Sequence, residues 1–208
     1  MSAPRPFVVC LTGSLGMGKS ATAKMFAEAG VPVHDSDAVV HELYAGEAAP
    51  LIEAAFPGST VDGKVDRQKL AAMVINDKAA LKRLEAIVHP LVGAARNKFL
   101  SNAETSNTPI VLLDIPLLFE IGGEARCNAI VVVSAPADVQ RARAMQRPGM
   151  TEEKLAVLVG KQVPDPEKRQ RADFIVDTSQ GFDHARAQVG DILDAIAKMQ
   201  NGGDSSGQ

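Results

Sequence analysis

The chain has 208 residues, 46% of them hydrophobic and 23% charged, with a formal net charge of −3 at pH 7. That much apolar material predicts one sizeable α/β domain with room for an elaboration, and it excludes a disordered protein. Mild acidity with mixed signs excludes duplex nucleic acid or an anionic membrane as the main partner, so any phosphate binding has to be local.

Met1-Ser2-Ala3-Pro4-Arg5-Pro6 runs straight into an apolar stretch with no charged-then-apolar leader, and no apolar run is long enough to span a bilayer. A cytoplasmic protein is therefore expected. Cys10 and Cys127 are far apart and lack metal-ligand spacing, so they are expected to be reduced core thiols.

Phe7-Val8-Val9-Cys10-Leu11 reads as a strand covered on both faces of a parallel sheet, and Ser20 to Ala29 as a helix ended by Gly30. Between them stands Gly13-Ser14-Leu15-Gly16-Met17-Gly18-Lys19-Ser20, the Walker A or P-loop pattern. Glycines let successive backbone N–H groups close on a polyphosphate, and the following helix adds its positive end. Lys19 can reach β and γ phosphates, and the Ser20 hydroxyl suits Mg²⁺. A Gly-rich turn that binds nothing is the competing reading. Strand, glycines, Lys-Ser and helix in succession argue against it.

After a break at Gly30-Val31-Pro32, Val31 to His34 is predicted as a second strand ending at Asp35-Ser36-Asp37. Carboxylates at the C-terminal end of a parallel strand lie on the ligand side of an open sheet. One of them can N-cap the helix predicted from Ala38 to Tyr44, leaving the other for chemistry. From Ala45 to about Asn107 the pattern is helical, with no convincing strand: Ala48 to Phe56, then a turn at Asp62-Gly63, then Asp66 to Ile75 with Asp66 as N-cap. Lys78 to Val88 and Pro90 to Leu100 are predicted as separate helices, because His89 precedes proline. His89 could contact substrate, although a histidine at a helix boundary is more often structural.

Ser101 to Pro109 reads as a polar connector, and Ile110-Val111-Leu112-Leu113-Asp114 as a buried strand closing in aspartate, the Walker B pattern, in which Asp114 helps hold Mg²⁺. A strand-end aspartate making a turn is its rival. The apolar run from Ile115 to Phe119 before Glu120 is expected to pack or to line a pocket. Ala129 to Ser134 is another strand, followed by a helix from about Ala137 to Gln146, a break at Arg147-Pro148-Gly149, a helix capped by Thr151, and an end at Pro164-Asp165-Pro166. Arg141, Arg143, Arg147 and the Lys168-Arg169-Gln170-Arg171 stretch give this region the composition of a mobile lid over a triphosphate. Phe174-Ile175-Val176 is a last strand and Asp183 to Met199 an amphipathic helix. Residues 201–208 are expected to be a disordered tail.

These pieces in this order resemble dephospho-CoA kinase, a P-loop kinase family. The segments that carry the resemblance are Leu11-Thr12-Gly13 through Ser20, Val33 to Asp37, Ile87-Val88-His89-Pro90-Leu91, Leu113 to Glu120, and Glu167 through Asp177. The resemblance implies a three-layer α/β fold of the P-loop NTPase type on a parallel five-stranded sheet. The core would comprise residues 7–44 and 109–200, with a helical substrate-binding insertion at about 45–108 and a helical lid at about 141–172. It implies transfer of the γ-phosphoryl of ATP to the ribose 3′-hydroxyl of dephospho-CoA, with Mg²⁺, on small-molecule substrates alone. The sequence leaves the oligomeric state open.

Carried over by position, Asp37 looks like the catalytic base, and Lys19 and Arg141 like handlers of the transferring phosphate. Gly13, Ser14, Leu15, Gly16, Met17, Gly18, Lys19, Ser20 and Ala21 would hold ATP, with Arg141, Arg147 and Arg169 from the lid. Asp37, His89, Pro116 and Leu117 would meet the acceptor, and Ser20 and Asp114 the metal. Ser14, Ser36 and Ala21 depart from the residues usual in the family (glycine, alanine and threonine), but none removes a reacting group. Competing functions are another small-molecule P-loop kinase, of the shikimate or nucleotide type, and a non-catalytic nucleotide sensor. Asp37, a carboxylate placed to activate an acceptor, speaks against the sensor.

Overall fold

The computed structural model describes residues 5–203, with the side chains of 201–203 left aside. Residues 1–4, at the expected leaderless start, and 204–208 of the expected tail lie outside the described residues. Residues up to Val33 together with those from Asn107 onward form one compact unit, and His34–Ser106 form a second.

In chain order the strands and helices are β1 (Phe7–Thr12), α1 (Lys19–Glu28), β2 (Val33–Asp35), α2 (Ser36–Ala45), α3 (Ala48–Ala55), β3 (Thr60–Val61), β4 (Lys64–Val65), α4 (Arg67–Val74) and α5 (Lys78–Thr105). There follow β5 (Ile110–Asp114), β6 (Ala129–Ser134), α6 (Ala137–Met145), α7 (Glu152–Gly160), α8 (Asp165–Gln170), β7 (Phe174–Asp177) and α9 (Phe182–Gly203).

The main sheet is parallel, five-stranded and ordered β2-β5-β1-β6-β7. β1 is central. Its register sets Leu11 opposite Asp114 of β5 and Thr12 opposite Val132 of β6, so the C-terminal ends of three neighbouring strands come together. β1, β5 and β6 are near-continuous apolar runs because both faces are covered, as the burial of Val9, Leu11, Leu112, Val131 and Val133 shows. On one face α1 contributes Met25 and Phe26, and α9 contributes Ala185, Val189, Ile192 and Ile196 at helical spacing. Each such fully buried large side chain stabilises the unit by about 1.5–3 kcal/mol relative to leaving it in water.

The second unit has its own core of Leu43, Ile52, Phe56, Leu70, Leu84 and Val88, drawn from α2 to α5. Asp66 accepts from Gln68 N and Lys69 N, the cap expected of it. Two expectations fail here. The region is not free of strands: the expected turn at Asp62-Gly63, where both residues adopt positive φ, joins a short antiparallel hairpin, β3 with β4. Pro90 does not divide the helices: α5 is continuous through it to Thr105, taking in part of the predicted connector. An interior proline costs about 3 kcal/mol. Ala80, Leu84 and Val88 before it stay buried on the face that packs against α2, α3 and α4, which keeps the backbone helical up to the proline.

Three further expectations in the first unit are corrected. Pro164-Asp165-Pro166 does not end a helix but starts α8, because a proline in the first turn has no intrahelical donor to lose. α9 runs to Gly203, into the stretch expected to be tail. Cys10 and Cys127 are joined in a disulfide, with Cα atoms 5.6 Å apart. They are 117 positions apart in the chain, but β1 and β6 are paired neighbours and Cys127 lies just before β6.

Candidate active site

The loop between β1 and α1 is shaped by its glycines. Gly16 and Gly18 take φ of 82° and 92°, and a Cβ on Gly16 would meet Gln140 O at 2.7 Å. Gly13 is needed for space: its Cβ would lie 2.7 Å from Val133 O of β6. Ser14 is absent from the positive-φ residues, so its Cβ is accommodated without backbone strain. Leu15 is held at both ends, its N–H donating to Gln162 Oε1 (3.1 Å) and its carbonyl accepting from Gln140 Nε2 (2.7 Å).

Gly18 caps α1 in a left-handed conformation without a side-chain bond. The first bond back into the loop runs from Thr22 N to Gly18 O, so the N–H groups of Lys19, Ser20 and Ala21 precede it and have no partner inside the helix. Such amides with the helix dipole behind them attract an anion. Lys19 Nζ lies 2.5 Å from Oδ1 of Asp114, a carboxylate buried at the end of β5. The Ser20 residue is exposed.

Thr12, the last residue of β1, donates its hydroxyl proton to Pro116 O at 3.1 Å and so fixes the segment after β5. Pro116 is half-buried and Leu117 exposed, while Ile115, Leu118 and Phe119 are buried. The expected packing role of this run falls to those three. Glu120 is paired at 2.9 Å with Lys168, a lysine with no exposure, and accepts from Val163 N. Burial opposes ionisation of Glu120, but the Lys168 ammonium and the Val163 N–H outweigh it and hold its carboxyl below the usual range. Neither partner was singled out as a pair from sequence, since a buried Lys–Glu pair has no local signature.

Among the expected lid arginines, Arg141 on α6 donates through Nε to Glu152 of α7 at 3.0 Å and also through Nη2. Arg147 and Arg169 are exposed, Arg169 lining a small cavity with Ser134 and Asp177. Arg143, given no individual role beforehand, is half-buried and donates twice to Thr178.

In the second unit, Asp35 is the cap of α2, accepting from Asp37 N (2.9 Å) and Ala38 N (3.0 Å). Capping thus goes to the first carboxylate of the pair. Asp37 sits exposed in the first turn of α2, and no hydrogen bond or ion pair of its carboxylate is found among the described residues. His89 is an exposed residue in the middle of α5 rather than at a helix boundary. Among the described residues no three His, Cys, Asp or Glu side chains cluster as a metal cage, and no helix is long and apolar enough to cross a membrane.

The family model for dephospho-CoA kinase matches residues 7–184. The dephospho-CoA kinase of Mesorhizobium japonicum is 65% identical over 189 residues, covering 91% of this chain and 96% of that protein. Among solved structures, TT1252 from Thermus thermophilus superimposes with a TM-score of 0.82 at 34% identity, covering 93% of this chain and 98% of that one. Shikimate kinase from Acinetobacter baumannii, with a TM-score of 0.53 and 19% identity over 93% of this chain and 94% of its own, shares the fold.

Proposed function

The chain belongs to the dephospho-CoA kinase family, and from that premise we propose that it transfers the γ-phosphoryl of ATP to the ribose 3′-hydroxyl of dephospho-CoA, giving coenzyme A. The observation that carries this reading is the family match over residues 7–184, which takes in both the cradle and Asp37.

Phosphoryl transfer passes through a loose transition state, so positioning and charge stabilisation do most of the work. The loop of Gly13 to Ala21 receives the polyphosphate, the N–H groups of Lys19, Ser20 and Ala21, which have no partner inside α1, donating to it. Lys19 exchanges Asp114 for the β and γ phosphates, where its ammonium meets the charge of the transferring group. Asp37, left unused by the cap, accepts the hydrogen bond of the attacking hydroxyl and aims it in line. A carboxylate is a weak base, which suffices when the nucleophile need not be deprotonated in advance. Arg141, Arg147 and Arg169 act as lid cations over the phosphates, and lid closure keeps water from the γ-phosphorus. His89 in the second unit, and Pro116 and Leu117 in the first, are each candidates for contact with the acceptor.

The donor set fits Mg²⁺, which keeps most of its waters and takes one or two protein oxygens. Ser20 Oγ and the Asp114 carboxylate are hard oxygen donors on adjoining segments and would hold it. When bound, the ion neutralises charge on the phosphates. Both substrates are small molecules, and a cytoplasmic location fits an enzyme drawing on the ATP pool.

A coupled assay of ADP release tests the reading across acceptors. Turnover that depends on dephospho-CoA, with a 3′-phosphorylated product by mass spectrometry, is the expected result. Preference for shikimate, or nucleotide binding without transfer to any acceptor, overturns it.

A further inference from the structure

Thr178 follows the last residue of β7 and is 161 positions from the cradle residue that it touches. Its Oγ1 lies 2.8 Å from Met17 O, and Arg143 Nη1 donates to the same Oγ1 at 2.7 Å, while Arg143 Nη2 donates to the Thr178 carbonyl at 2.7 Å. A hydroxyl has one proton, and a guanidinium can only donate. With Arg143 filling an acceptor position on Oγ1, the Thr178 proton is free to go to Met17 O. The other carbonyl within reach, Ser134 O, is farther away at 3.4 Å.

The next cradle residue is held by shape as well. Gly18 has φ of 92°, and a Cβ there would lie 3.2 Å from both Cγ2 and Oγ1 of Thr178. The Thr178 side chain thus packs against the peptide between Met17 and Gly18, with Thr178 and Met17 both buried.

We propose that Thr178 and Arg143 are positioning residues for the phosphate cradle, holding the Met17–Gly18 peptide and hence the start of α1 in the conformation that receives ATP. This rests on the functional reading above. Amides aimed at a phosphate are useful only if they are fixed before it arrives, because a misplacement of about 1 Å can lower the rate about 100-fold.

Thr178→Val keeps the side chain's shape and removes the hydroxyl. Its kcat/KM for ATP is expected to fall about 10- to 100-fold, with KM for ATP raised and KM for dephospho-CoA changed less than about twofold. Thr178→Ser recovers most of that loss. Arg143→Met produces a similar loss, and the double variant Thr178→Val with Arg143→Met is no worse than the weaker single variant, since both act through one oxygen. Equal losses in the valine and serine variants, additive losses in the double variant, or KM rising alike for both substrates overturns the proposal. If Thr178→Val does not fold, Arg143→Met decides alone, and unchanged affinity for an unreactive ATP analogue overturns it. Calorimetry with that analogue needs no acceptor. Binding weakened by Thr178→Val in a protein that never phosphorylates dephospho-CoA would sink the functional reading and leave the clamp standing.

Discussion

Lys19 Nζ stands 2.5 Å from Asp114 Oδ1, an ion pair that ties the first turn of α1 to the end of β5, with side-chain exposures of 15% and 3%. The pair keeps the ammonium extended at the mouth of the cradle rather than folded into solvent. On the proposed reading, a phosphate arriving there would meet a cation already in place. Lys19→Ala is expected to lower kcat by about 100-fold or more, as loss of a charge-stabilising group does. Steady-state kinetics with ATP checks it, and an unchanged kcat would remove the cradle reading.

Asp35 and Asp37 separate cleanly by experiment because only the first is a cap. Asp35→Ala should cost roughly 1 kcal/mol of stability through the lost bonds to Asp37 N and Ala38 N. Asp37→Asn should leave the melting temperature and ATP binding near those of the parent and lower transfer by orders of magnitude. Near-normal turnover in Asp37→Asn places the base elsewhere.

The lid reading rests on Arg141, Arg147 and Arg169, and the ion pair between Arg141 and Glu152 is solvent-exposed at both ends. Exposed pairs contribute about 0–1 kcal/mol, so Glu152 is an easy partner to exchange for a phosphate. Among the three single alanine variants, at least one is expected to lower kcat/KM for ATP about 10-fold or more. Three kinetically silent variants would end the lid hypothesis.

The disulfide between Cys10 and Cys127 closes a separation of 117 positions. Removing a cross-link over so long a loop releases entropy in the unfolded chain, and Cys127→Ser is expected to lower stability by roughly 2–4 kcal/mol. Denaturant titration with and without a dithiol reductant measures it. The reductant should destabilise the parent protein and leave the variant unaffected. Equal curves for parent and variant would show that the bond does not form in solution.

His34 is buried against Phe99, ring centroids 5.2 Å apart, with no partner for Nε2 among the described residues. Burial, aided by the Arg96 charge and only partly opposed by Asp35 and Glu42, pushes its pKa below the ordinary 6.5. The unfolded chain therefore takes up a proton at higher pH than the folded one. Stability from neutral His34 is complete above about pH 6.5 and declines as pH falls below it. His34→Leu should flatten that part of the stability profile between about pH 7 and 5. An unchanged slope would assign the acid sensitivity to other groups.

The sequence by itself determined what short-range chemistry can specify. The apolar runs of β1, β5 and β6, the caps Asp66 and Thr151, the Asp62-Gly63 turn and the Gly-Lys-Ser cradle could all be read because each depends on residues a few positions apart. Which of Asp35 and Asp37 caps α2 stayed open in the sequence, because either carboxylate can accept from first-turn amides. Tertiary structure decided the rest. Cys10 meets Cys127, Lys168 meets Glu120, and Arg143 reaches Met17 through Thr178, because parallel strands bring distant segments side by side. Pro90 stays inside α5 because the residues before it are packed, and local propensity contains no term for a neighbouring helix.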